Sequence, residues 1–85
     1  MRTRALDRLT AWPEGARKGV SGGRSYMVAK TTYAQGRAIK LVAHELGGND
    51  YISLNVYDLT NGPLLKPCEM PVEKVVTFLA DLRAT

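Results

Sequence analysis

The run YISLNVYDL (residues 51–59) alternates side-chain character without a break: Ile52, Leu54 and Val56 fall on one side of an extended chain, Tyr51, Ser53, Asn55 and Tyr57 on the other. Side chains of a β-strand point to opposite faces in turn, so this pattern predicts a half-buried strand with one apolar face. Upstream, Gly47-Gly48-Asn49-Asp50 is a strong breaker cluster. Before it, RAIKLVAHEL (37–46) repeats the alternation, with Ile39, Leu41 and Ala43 opposite Lys40, Val42 and His44. Earlier still, SYMVAKTTY (25–33) is rich in β-branched and aromatic residues and leads into a short turn at Ala34-Gln35-Gly36. Downstream, Thr60-Asn61-Gly62 is a hairpin signal, and LLKPC (64–68) reads as a fourth strand that Pro67 pushes to an edge. Pro71 then opens a helix, in which Val72, Val75, Val76, Leu79 and Leu82 recur at helical spacing to the C-terminus.

Four consecutive strands with short connections make antiparallel neighbours. The expectation is an α+β domain: a four-stranded antiparallel meander over residues 25–85, backed by a C-terminal amphipathic helix, and dimeric. One helix covers one face. That face should hold Ile52, Leu54 and Val56, then Ile39, Leu41 and Ala43, and from the first strand Met27, Ala29 and Thr31. The open face would then carry Tyr51, Ser53, Asn55 and Tyr57, with Lys40, Val42 and His44, and with Tyr26, Val28 and Lys30.

The chain has 85 residues, room for one domain and one small core. Its net charge of +4 is uneven. Residues 1–24 hold six basic groups against two acidic ones, whereas 25–85 hold six of each. Within that leading segment, TRALDRLTAW (3–12) spaces Leu6, Leu9 and Trp12 as one or two helical turns that Pro13 would stop. PEGARKGVSGGR (13–24) has linker composition. Residues 1–24 are therefore expected to form a flexible basic arm. The sequence contains no apolar run long enough to span a membrane and no secretory signal, which predicts a cytoplasmic protein.

Little here points to a reaction. His44-Glu45 begins like a zinc-protease motif, but Gly48 stands where the second histidine belongs. Neighbouring strand residues also face opposite ways, so His44 and Glu45 do not share a metal. Gly47-Gly48 lacks phosphate-loop spacing. Cys68 is the single cysteine, with no base placed beside it and no disulfide partner in the chain. No cofactor, metal site or catalytic residue is expected.

Rings and ammonium groups sharing an open sheet face suit an unpaired nucleic-acid strand, because bases stack on the rings and phosphates meet the cations. The run from Ser25 to Leu82, closing in LLKPCEMPVEKVVTFLADL, resembles the positive-cofactor-four family of transcriptional coactivators and its small bacterial relatives. The resemblance implies a dimer that binds single-stranded DNA across curved sheets. It also implies phosphate contact by Lys30, Arg37 and Lys40, with Tyr26, Tyr51 and Tyr57 as the aromatic members. Together these readings predict a protein that binds single-stranded DNA or RNA without sequence preference, in transcription or DNA handling. Arg17, Lys18, Arg24, Lys30, Arg37 and Lys40 would neutralise phosphates while Tyr26, Tyr51 and Tyr57 stack on bases. The alternative is a small regulator or inhibitor, of the kind mobile elements encode, that docks a partner protein through the same face.

Overall fold

The computed structural model describes residues 2–85. Its elements are α1 (Arg2–Ala11), β1 (Gly15–Ser21), β2 (Arg24–Tyr33), β3 (Ala38–Glu45), β4 (Tyr51–Tyr57), β5 (Leu64–Pro67), α2 (Val72–Ala80) and β6 (Arg83–Ala84). The strands form one antiparallel sheet in the order β5-β4-β3-β2-β1-β6. The α+β class and the strands expected at 25–33, 37–46, 51–59 and 64–68 are present as β2 to β5. The sheet, however, has six strands, and a helix precedes it.

The additions come from the segment expected to be an arm. Residues 2–21 supply α1 and β1, so the boundary at residue 24 is corrected. The glycines of PEGARKGVSGGR are structural devices, not linker composition. Gly22 and Gly23 both have positive φ, +60° and +78°, and make the two-residue turn that joins β1 to β2. Gly19 lies under Trp12 and Leu82, where a Cβ would sit 2.9 Å from the indole Cη2 and 3.0 Å from the leucine Cδ1. Glycine thus lets the strand pass beneath the end of α1.

Both helices cover one face of the sheet. Ala5, Leu9 and Trp12 of the leading segment and Val75, Val76, Phe78 and Leu79 of α2 join one core with Ile39, Leu41, Ala43, Ile52, Leu54 and Val56. The inward sets expected for β3 and β4 are those observed. For β2 the parity is reversed: Tyr26, Val28 and Lys30 face the core, while Met27, Ala29 and Thr31 are exposed. Helix α2 also stops earlier than expected. It ends at Ala80, Leu82 drops into the core, and Arg83–Ala84 pair with β1 at the far edge from β5. Arg4 Nε donates to the Ala80 carbonyl at 3.0 Å, placing a cation on the negative end of α2.

Candidate functional site

The reversed parity of β2 decides what the open face presents. Strand register sets the outward side chains in rows across the sheet. One row runs Lys18, Met27, His44, Tyr51. The next runs Ala16, Ala29, Val42, Ser53, and a third Thr31, Lys40, Asn55, Lys66. At the far end Tyr33 stands opposite Ala38, and Tyr57 opposite Leu64. Among the described residues no helix lies over these rows. Met27, Tyr33, Tyr51, Tyr57 and Leu64 are each about 40–50% exposed. They are five of the six exposed large apolar or aromatic side chains among the described residues, Leu46 being the other.

The charge on this face has one sign. Lys18, Lys40 and Lys66 are exposed, and no outward strand position holds a carboxylate. In space, Lys18, Lys40 and Lys66 put three positive charges on the open sheet, and Arg83, opposite Val20, adds a fourth cation at its edge, paired with Asp81 at 3.8 Å, although along the chain the excess sits in residues 1–24.

Rings occupy both ends of the face. His44 and Tyr51 stack with centroids 6.4 Å apart and planes 23° from parallel. Six residues further along β4, about 20 Å at strand rise, Tyr57 lies beside Tyr33. The Tyr33 hydroxyl donates to Asn55 Oδ1 at 3.3 Å. Partial desolvation and then the neighbouring Tyr57 phenol push the Tyr33 hydroxyl above the usual phenol range, so it stays a neutral donor. Cys68 is half-buried, its sulfur accepting from Asn55 Nδ2 at 3.6 Å.

The expected site residues divide into three groups. Lys18, Lys40, Tyr51 and Tyr57 are brought together on the open face. Arg17 is exposed on the helix side of β1, opposite Val28. Arg24 begins β2 and reaches Glu45 at 3.7 Å, and Arg37 lies in the β2–β3 connection with its Nε donating to the Ala34 carbonyl at 3.2 Å. Tyr26 and Lys30 are removed from the surface, 3% and 5% exposed. Tyr26 packs edge-on to Phe78 and donates its hydroxyl to Asp50 at 2.8 Å. Burial, and then that bond, push its phenol up to about 12. Lys30 crosses the core and donates to the carbonyls of Thr10 at 2.9 Å and Trp12 at 2.5 Å. Burial lowers its ammonium pKa, and both partners are backbone oxygens at the end of α1. Neither side chain is free to meet a ligand.

Tyr33, Lys66 and Met27 were not among the expected site residues. For Tyr33 and Met27 the missing signal was β2 parity, since both alternating sets of that strand are largely apolar or aromatic. Lys66 becomes visible once β5 is registered on β4, which sets it opposite Asn55.

Among the described residues no three His, Cys, Asp or Glu side chains stand close enough to hold a metal ion, and no helix is long and apolar enough to cross a membrane. Comparison with protein-family models, curated proteins and solved structures finds no match to this chain.

Proposed function

We propose that the open sheet face binds single-stranded nucleic acid without sequence preference, as part of transcription or DNA handling. The observation that carries the reading is the coincidence on one uncovered surface of three lysines, four rings and no carboxylate. Lysines hold phosphates as point charges, and exposed rings accept bases, each stack contributing about 1–3 kcal/mol. Tyr51 and His44 at one end and Tyr57 and Tyr33 at the other leave Lys40 and Lys66 between them for the backbone. A homodimer would have to leave this face free, because stacking two such faces would set lysine against lysine.

A fluorescein-labelled oligothymidylate titrated at several salt concentrations tests the proposal. Three phosphates neutralised on a single strand predict a log–log slope of about −2. Binding with that slope supports the face as the site. Absence of binding to single strands at low salt removes the reading, and capture of an acidic protein through the same lysines would replace it with the regulator function.

A further inference from the structure

Strand β6 covers little of the strand it pairs with. Its two residues sit opposite Gly19 and Val20, whereas β1 begins at Gly15. Gly15, Ala16, Arg17 and Lys18 are exposed, and among the described residues β2 is the only strand paired with them. Backbone groups alternate sides along a strand, so this stretch of about 13 Å directs unpaired N–H and C=O groups away from the sheet. The opposite edge is guarded differently: β5 follows Pro63 and ends in Pro67, neither of which has an N–H to offer.

The free edge has its own chemistry. A hollow of about 220 Å³ opens between the end of α1 and β6, at the β6 end of this edge, lined by Arg8, Trp12, Pro13, Leu82 and Arg83. Arg17 projects on the helix side of β1, and Lys18 on the open side. Antiparallel pairing of two copies centred on this edge would oppose either Arg17 or Lys18 to itself, and like charges directly opposite are unfavourable. An occupant carrying carboxylates meets no such penalty. The hollow, floored by Trp12 and Leu82 with Arg8 on its helix side, suits one apolar side chain, while Arg83, opposite Val20, adds a cation on the open side of the edge.

We propose that the edge of β1 at Gly15–Lys18 accepts an extended acidic peptide as a further strand, seating one apolar side chain in the hollow beside Trp12. Backbone hydrogen bonds supply the docking, while Arg17, Arg83 and Lys18 select for acidic sequence. This surface is separate from the sheet face proposed for nucleic acid.

A labelled hexapeptide of alternating aspartate and valine, followed by fluorescence anisotropy at low salt, is the direct test. It is compared with a lysine–valine counterpart and with the acidic peptide N-methylated at alternate amides, in each of the two phases. The acidic peptide should bind and the lysine peptide should not. One N-methylated phase should lose at least tenfold in affinity, and bound peptide should slow amide exchange at Gly15–Lys18. Arg17→Glu combined with Arg83→Glu should also cost at least tenfold. If that variant is poorly folded by circular dichroism, the N-methylated peptides decide alone. No binding, or equal binding of both N-methylated forms, or unchanged exchange at Gly15–Lys18, overturns the proposal whatever the oligonucleotide titration shows.

Discussion

Lys30 shows how a side chain can carry the right charge for a ligand and still be spent on the fold. Its ammonium is held by the carbonyls of Thr10 and Trp12, groups that the end of a helix leaves without intrahelical partners. Lys30→Met keeps the bulk and removes the donor. It should lower stability by about 1–3 kcal/mol, because buried acceptors lose their partner, and a shifted urea midpoint measures it. Asp50 has a comparable role at the other end of β2, accepting from Lys74 Nζ at 2.7 Å and from the Tyr26 hydroxyl at 2.8 Å. Those bonds, Lys74 first, hold its carboxyl below the usual range. The unfolded chain therefore binds the Asp50 proton more tightly than the folded one. The stability that Asp50 contributes is complete above its unfolded pKa and is lost as pH falls through the lowered value. Asp50→Asn should flatten that acid limb in pH-dependent denaturation.

At the scale of elements, α1 and β1 depend on each other. A ten-residue helix is marginal alone in water, and α1 is held by Ala5, Leu9 and the following Trp12, all in the core. β1 makes room for that contact at Gly19. Gly19→Ala should cost about 1–3 kcal/mol through overpacking, because its Cβ meets Trp12 and Leu82. Trp12→Ala, read in the same unfolding experiment, should cost about 3–5 kcal/mol. Deleting residues 1–24 would remove part of the core along with any basic tail, so a truncated chain would report on folding before it reported on binding. This mutual dependence is why neither element was legible. Trp12 needs a glycine seven residues later, and no local periodicity records that need.

At the scale of the molecule, charge position along the chain and charge position in space separate. Arg17 and Arg24 belong to the basic leading segment but lie off the open face, whereas Lys40 and Lys66 lie on it. Lys40→Glu with Lys66→Glu, and Arg17→Glu with Arg24→Glu, change net charge equally. If the face is the site, the first pair should weaken oligonucleotide binding at least tenfold further than the second and flatten the salt slope. Equal losses would assign the binding to overall charge.

The sequence by itself determined the strands from Arg24 to Pro67, the inward sets of β3 and β4 and the placement of Tyr51, Tyr57 and Lys40, because strict alternation allows one parity when only one set is apolar. β2 carries apolar or aromatic residues in both sets, Tyr26 and Val28 against Met27 and Tyr33. Local pattern could not break that tie. Tertiary structure did, through the Phe78 ring against Tyr26 and the end of α1 over Lys30. It also decided the fate of residues 2–21, whose glycines acquire meaning only when Trp12 and the β1–β2 turn are in place. Contacts between residues distant in sequence chose which of two similar faces was buried, and so which was left open.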